Sequence, residues 1–453
     1  MKITVIGAGY VGLVSAACFS DFGYDVTCVD RDTRKIAALE SGHIPIYELG
    51  LEPIISSNRQ AGRLVFTDKL ADAVAQADVV LIAVGTPTRE GDDAADLSYV
   101  FAAGEEIARA MQGFTLIVTK STVPVGTAAQ LREIIARARP DGDFEVASNP
   151  EFMREGSAVE DFQRPDRVVI GVNSERAEAA LRQLYRPLAA KDVPIVATSC
   201  EASELIKYAA NTFLATRIAF VNQLADLCEH VGADIQDVAR GMGLDKRIGL
   251  QFLNPGPGYG GSCFPKDTRA LAATARQNGG PFTIVENVIA ANESRKRSLA
   301  DRIQKAVGGK LQGKKIALLG IAFKAETDDI RDAAALTLIP ELQRRGAAIA
   351  AFDPVAMDNG RGAFESVQWC ADAYSAVIGA DAVVVLTEWN VFRGLNLARL
   401  VKDMRRPIMV DFRNLFAAGD VRDSGLTYHS VGRSAVSPQK GKNIISIKAG
   451  TSA

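Results

Sequence analysis

The chain has 453 residues, enough for two or three domains with ample core. Hydrophobic residues make up 47%, charged residues 23%, and the formal net charge is −2, so there is no basic field for a nucleic acid. No apolar run is long enough to span a bilayer, and the chain begins directly on a strand pattern with no signal peptide ahead of it; the expectation is a cytoplasmic protein without a membrane partner.

Lys2–Ile6 reads as a short buried strand, followed by Gly7-Ala8-Gly9-Tyr10-Val11-Gly12 and an apolar helix through Phe22. In that order the glycines have separate uses: Gly7 makes the tight turn, Gly9 lets a pyrophosphate approach the backbone, and Gly12 lets helix and strand pack closely. A second strand, Asp25–Val29, ends in Asp30, where a carboxylate would bind the adenosine ribose hydroxyls and repel a 2′-phosphate, favouring NAD over NADP. Arg31 and Lys35 pull the other way, as cations able to accommodate a phosphate.

Three further strands end in polar turns. Ala77–Val84 leads to Gly85-Thr86-Pro87-Thr88, Thr115–Val118 to Lys120-Ser121-Thr122-Val123-Pro124-Val125-Gly126-Thr127, and Phe144–Ala147 to Asn149-Pro150-Glu151-Phe152-Met153-Arg154-Glu155-Gly156. Ligands of a doubly wound sheet sit at the carboxyl ends of its strands, so these turns suit the wall of a nicotinamide and substrate site; each alone would pass as a helix cap. Glu151 and Glu155 share one face if that stretch is helical.

Glu201–His230 keeps helical periodicity without Gly or Pro and reads as a spine between two α/β domains, with apolar surface to spare for a subunit partner. Lys207 and Asn211 lie one turn apart on it, either as a snorkelling surface pair or as a pair aimed at an oxyanion. Val231–Ile248 reads as short helices. A run of turn residues, Asn254–Tyr259, then leads into Gly260-Gly261-Ser262-Cys263-Phe264-Pro265-Lys266-Asp267, with helix expected from Thr268 and on to about Val307. A cysteine just ahead of a helix is open to acidification by the helix dipole and by Lys266, and Asp267 stands one turn further on; a buried inert cysteine is the plain alternative.

The six cysteines are scattered without metal-ligand spacing and read as reduced thiols. The three histidines, His43, His230 and His429, lie far from any of these motifs, which argues against a histidine-based hydrolase or metal site. A second strand–helix series starts at Lys314–Gly320 and continues through Ala348–Phe352, Ala380–Leu386 and Pro407–Val410. Its first turn, Gly320-Ile321-Ala322-Phe323-Lys324, lacks the glycine triplet, and Lys324 with Arg331 suggests contact with a phosphate or carboxylate. Ser434 to Ala453 is polar and reads as a disordered tail.

These motifs together resemble the nucleotide-sugar dehydrogenase family on its UDP-glucose 6-dehydrogenase branch, from Met1 to about Asn414. The resemblance implies an α/β protein of two Rossmann-like doubly wound domains joined by a long central helix: an NAD-binding domain over 1–199, a helical dimerisation region with the cysteine loop over 200–307, a UDP-sugar-binding domain over 308–433, and a tail over 434–453. It implies oxidation of the primary alcohol of UDP-glucose to a carboxylate with two NAD reduced, in a homodimer. By the same resemblance Cys263 attacks the aldehyde, Lys207 and Asn211 stabilise oxyanions, Asp267 and Thr122 move protons through water, and Glu151 assists thioester hydrolysis. Gly7, Gly9, Val11, Gly12, Asp30, Lys35, Thr86, Ser121, Thr122, Glu155, Lys266 and Arg331 map to the cofactor. Residues 151–155 (Glu151, Phe152, Met153, Arg154, Glu155), Lys207, Asn211, Phe252, Leu253, Asn254, Pro255, Gly256, Tyr259, Gly260, Lys324 and Arg413 map to the sugar nucleotide, and Arg247 to the neighbouring subunit's substrate. One departure is Phe412, which stands where the family commonly has glycine before Arg413. The rival readings are a relative acting on GDP-mannose or a UDP-N-acetylhexosamine, a nucleotide-sugar-binding regulator without turnover, and a redox-sensing thiol protein; neither of the last two would form NADH.

Overall fold

Short apolar runs that alternate with amphipathic stretches become two mostly parallel sheets, each within its own unit. The computed structural model describes residues 1–89, 91 and 93–438. One unit comprises Met1–Thr216 with Ser262–Ala290, and the other Arg217–Gly261 with the described residues from Ala291 on.

The first unit holds eight strands: Lys2–Ile6 (β1), Asp25–Val29 (β2), Leu64–Thr67 (β3), Val79–Ile82 (β4), Thr115–Thr119 (β5), Phe144–Ser148 (β6), Val168–Gly171 (β7) and Ile195–Thr198 (β8). Their order is β3-β2-β1-β4-β5-β6-β7-β8, with neighbours parallel except β6 and β7. Alternate residues feed opposite faces. Val79, Leu81, Leu116 and Val118 join one core with Leu13 and Phe19, while Val80, Ile82 and Ile117 join another with Ile107 and Leu131. Burial on both faces is why these strands read as continuous apolar runs.

The second unit repeats the plan over Lys315–Leu319 (β9), Ala348–Phe352 (β10), Val367–Trp369 (β11), Ala382–Val385 (β12), Ile408–Asp411 (β13) and Thr427–Ser430 (β14), ordered β11-β10-β9-β12-β13-β14 and parallel throughout. Ile316, Leu318 and Val384 pack on one face, and Ala317, Leu319 and Val385 on the other. Both orders reverse direction of travel at the first strand, which places ligand crevices beyond the strand ends there.

The long central helix runs Cys200–Val231, 32 residues, one residue beyond the expected span at each end. Helix resumes over Ile235–Gly243, Phe264–Gln277 and Thr283–Ala306. The second of these begins at Phe264 rather than Thr268, because Pro265 falls in its first turn, where a missing N–H costs nothing. Of the expected tail, Val436 exchanges backbone hydrogen bonds with Tyr428, at 2.8 and 2.9 Å, so order extends past Ser434; residues from 439 on lie outside those described. Among the described residues no helix is long and apolar enough to cross a membrane.

Candidate active site

The glycine turn after β1 has the shape a dinucleotide needs. Gly7 has φ +103°, and a Cβ there would meet the Ala83 carbonyl oxygen at 2.6 Å; a Cβ on Gly12 would come within 1.8 Å of the Gly7 carbonyl oxygen. Gly9, immediately ahead of the Tyr10–Asp21 helix, has open space where its Cβ would project, so a pyrophosphate can approach the backbone and the positive helix end. Val11 lies between them in the helix's first turn. Asp30 accepts from the backbone N–H of Ala8 (2.8 Å) and Asp32 (3.0 Å) and pairs with Lys35 (3.0 Å). Burial pushes its carboxyl up, but those bonds outweigh burial and hold it below the usual range. Lys35 is thus turned onto the carboxylate and Arg31 onto Glu106. These residues fit NAD.

At the strand ends, Thr86 donates to the Thr122 carbonyl (3.0 Å), tying two of the polar turns together. Ser121 points its hydroxyl back to the Val84 carbonyl (2.6 Å). Residues 151–154 are not helical, since Pro150 disfavours the helical region for Asn149 and Gly156 takes φ +80°. Glu151 and Glu155 therefore part company. Glu151 accepts from Lys207 Nζ (3.0 Å) and from the Met153 N–H (2.6 Å), and Glu155 accepts from the Ser262 hydroxyl (2.8 Å). Phe152 lies beneath Arg167, 3.7 Å from guanidinium carbon to ring centre, with Lys207 Nζ at 5.3 Å, while Arg154 pairs with Asp161 at 2.6 Å.

The long helix brings its polar pair into the same place. Lys207 and Asn211 are both buried, and Asn211 donates to Asp267 (2.7 Å), whose other oxygen takes Lys266 (2.5 Å). Cys263 caps the Phe264–Gln277 helix, with its carbonyl accepting from the Asp267 N–H at 2.8 Å and its sulfur 3.5 Å from the Ser262 hydroxyl. The thiol is not acidified as the loop's sequence suggests. Burial pushes it up to about 11; Lys207 offsets part of this, and Glu151 and Asp267 add to it. Lys266 serves Asp267, and the cation in electrostatic reach of the sulfur is Lys207. Lys207 itself is opposed by burial, but Glu151, Cys263 and Asp267 hold its ammonium above the ordinary lysine value.

In the second unit, Phe252 adopts φ +60°, rare for a bulky side chain and a mark of backbone held for a purpose. Leu253, Pro255 and Gly256 are buried and Asn254 is exposed. Gly256 donates to Asn222 (2.7 Å) and accepts from Arg295 (3.0 Å); Tyr259 exchanges bonds with Asn292 at 2.8 and 3.0 Å. A Cβ on Gly260 would strike the Asp332 carbonyl oxygen at 2.5 Å. Arg331 pairs with Asp329 (2.8 Å), and the Lys324 ammonium stands 5.8 Å from the Phe323 ring centre. Phe412 is buried in the core, and Arg413 beside it is held by several bonds. The guanidinium donates to the carbonyls of Leu386 (2.9 Å) and Phe323 (2.6 Å), pairs with Glu388 (2.9 Å), and lies beside Gly256. Arg247 extends outward and bonds only its neighbour Asp245, at 2.6 Å among the described contacts.

Sequence reasoning passed over three buried groups. Glu204, one turn before Lys207, accepts from the N–H of Gly126 (2.7 Å) and Ala128 (2.8 Å) at the start of the Thr127–Ala138 helix. Glu48 accepts from Tyr10 and from the N–H of Gly156 (2.7 Å) and Ala158 (2.8 Å). Lys120 is buried against Asn149 and Tyr185. The available signal was a charge inside an apolar run.

Comparison with known proteins gives the family. Family models of the UDP-glucose/GDP-mannose dehydrogenase family match residues 1–189 (NAD binding domain), 201–294 (central domain) and 317–418 (UDP binding domain). A UDP-glucose 6-dehydrogenase of Rhizobium meliloti is 54% identical over 435 residues, covering 96% of this chain and 100% of that protein. One of Pseudomonas aeruginosa is 47% identical, covering 96% and 98%. The solved structure of a UDP-glucose dehydrogenase from Pyrobaculum islandicum superposes with a TM-score of 0.89 at 36% identity, covering 96% of this chain and 98% of that one. The chain belongs to the UDP-glucose/GDP-mannose dehydrogenase family, and its first domain is that family's NAD-binding domain.

Proposed function

We propose that this protein oxidises UDP-glucose to UDP-glucuronate in two steps, through a thioester on Cys263. The observation that carries the reading is one buried cluster in one unit: Cys263 heading a helix, Lys207 within electrostatic reach of its sulfur and bonded to Glu151, and Asn211 bonded to Asp267. NAD, when bound, supplies the acceptor for the hydride lost in each oxidation.

The protein's residues do the rest. Asp267, with Thr122 through water, takes the hydroxyl proton as the alcohol becomes an aldehyde. The second oxidation needs an sp³ carbon bearing hydrogen, which an aldehyde lacks; Cys263 supplies it by forming a C–S bond, its proton passing to the carbonyl oxygen. With the thiol neutral near pH 7, that proton leaves as the bond forms, and Lys207 and Asn211 stabilise the oxygen's developing charge. Loss of hydride and of the hydroxyl proton gives the thioester. Water, directed by Glu151, then cleaves the C–S bond and returns the thiol and a carboxylate. Phe252, Leu253, Asn254, Pro255, Gly256, Tyr259, Gly260, Lys324 and Arg413 are assigned to the sugar nucleotide, and Glu155, Lys266 and Arg331 to the cofactor.

NADH formed per UDP-glucose consumed, followed by absorbance with limiting sugar, tests this. Two is expected, and Cys263→Ser is expected to abolish steady turnover; a ratio of one, or undiminished NADH from the mutant, overturns the covalent route.

The protein is further assigned to a homodimer through the long helix. Phe213, Phe220 and Leu227, seven residues apart, remain 63%, 52% and 55% exposed, an apolar stripe that a second copy would cover. Arg247 would then reach the partner's substrate. A dimer mass by light scattering is expected, and a monomer at working concentration excludes it.

A further inference from the structure

Lys120 directly follows β5 with its ammonium buried. Nζ donates to Asn149 Oδ1 (3.0 Å) and to the Tyr185 hydroxyl (3.1 Å), and the rings of Phe162 and Tyr185 stand 5.7 and 5.8 Å from it. No carboxylate forms an ion pair with it among the described residues. Burial pulls the ammonium down to about 8, the Glu151 charge opposing burial and Lys207 adding to it. A cation kept inside without an ion partner costs stability, so its retention calls for a use.

The use is visible in what Lys120 joins. In sequence it adjoins Ser121 and Thr122. Across the sheet it grips Asn149, two residues before Glu151. Asn149 is held at both ends of its amide and at its backbone: Oδ1 also accepts from Tyr185 (2.5 Å), Nδ2 donates to the Val169 carbonyl (2.8 Å), and the backbone N–H donates to the Thr119 carbonyl (2.9 Å). We propose that Lys120 is a positioning residue for the oxidation: through Asn149 it locks the turn that carries Glu151, and its positive charge is part of the field in which the Glu151–Lys207 pair works. This rests on the role given above to Glu151 in thioester cleavage.

The groups facing Lys120 set the expected signs. They are Asn149 from the end of β6, Phe162 from the Ala158–Gln163 helix, Tyr185 after the Glu175–Leu184 helix, and, through space, Glu151 and Lys207. Removing the ammonium takes a positive charge from beside the Glu151–Lys207 pair, so the field there becomes more negative and the acid limb of activity moves to higher pH. Stability moves the other way. The folded group holds its proton less tightly than an unfolded lysine, whose value is about 10.4. Between about 8 and that value the unfolded chain binds more protons, so this group's contribution to stability rises with pH there, and at neutral pH the buried charge is a net cost.

The test uses the full-length enzyme, with kcat, both KM values, pH profiles and thermal midpoints for wild type, Lys120→Met and Tyr185→Phe. Lys120→Met is expected to keep the wild-type midpoint, lose about tenfold or more in kcat with KM for NAD unchanged, and show the acid limb at higher pH. Tyr185→Phe, which removes a bond but no charge, is expected to lower the midpoint and leave the limb in place. A Lys120→Met enzyme whose limb does not move, or whose kcat falls only in step with its midpoint, overturns the proposal. Should that variant not fold, Lys120→Arg carries the test: reduced kcat with an unmoved limb supports the proposal, and a moved limb overturns it. A wild type that forms no NADH from UDP-glucose overturns the parent reading and this one with it, whereas an active wild type with an unmoved limb in Lys120→Met overturns this one alone.

Discussion

After β1 the chain turns through Gly7 and enters its helix at Tyr10; after β9 it turns through Gly320 in the same left-handed backbone, φ +89° against +103°, but reaches its helix only at Ala334. Each turn is bonded by an acid at the end of the following strand. Asp30 accepts two backbone N–H groups and Lys35 and keeps part of its surface. Asp353 is fully buried and accepts from the N–H of Ile321 (2.8 Å), Ala322 (3.2 Å), Val355 (3.0 Å) and Ala356 (2.9 Å) and from the Trp389 indole (3.2 Å). The two turns share a frame, yet one leaves a glycine over open space beside an accessible carboxylate, and the other spends its carboxylate entirely inside the protein. What separates a dinucleotide turn from its structural copy is where the acid's lone pairs go.

Three substitutions press on that contrast. Gly12→Ala should have the largest effect, since its Cβ meets a backbone oxygen that cannot swing aside. NAD binding is expected to be lost, with roughly 3 kcal/mol of stability, while UDP binding measured by calorimetry persists. Retained NAD affinity would mean that close packing at this helix is dispensable. Asp353→Asn comes next: backbone donors left facing an amide N–H₂ should cost about 3 kcal/mol, read as a lower thermal midpoint with KM for NAD unchanged. Asp30→Asn should do the reverse. It is expected to lower kcat/KM for NAD about tenfold, the worth of one charge-assisted hydrogen bond, and to narrow the preference over NADP, with little change in midpoint at neutral pH. Because Asp30 holds its proton less tightly when folded, its contribution to stability is present above about pH 4 and fades as pH falls further, so the small midpoint gap between mutant and wild type should close on acidification. If Asp30→Asn and Asp353→Asn behave alike, the distinction drawn here fails.

Much of this was legible in sequence because local rules set it. The glycine turn, the strands with polar ends and the long helix follow from backbone sterics and burial on both faces of a parallel sheet. The edge strands β3, β8, β11 and β14 and the inner strand β7 escaped notice: all are short, and at β3 and β8 half-exposure weakens the pattern further, as at Val65 and Val196. The cluster around Cys263 was harder. That Lys207 pairs with Glu151 and Asn211 with Asp267, each 56 residues apart, is a fact of tertiary packing that no window of sequence contains. The thiol shows the limit most plainly. A helix start and a nearby lysine suggested acidification, but the lysine turned to Asp267 and burial governs the sulfur.

The Asn149-Pro150 step has a chemical consequence of its own. Asparagine ages by attack of the next residue's backbone nitrogen on its side-chain amide, closing a succinimide that opens to aspartate. Pro150 has no N–H with which to make that attack, and the Asn149 amide is pinned on both sides. Hydrolysis here would place a carboxylate against the Lys120 ammonium and neutralise it. A residue where spontaneous chemical decay would alter the buried charge near Glu151 is thus one at which the usual route of decay is closed.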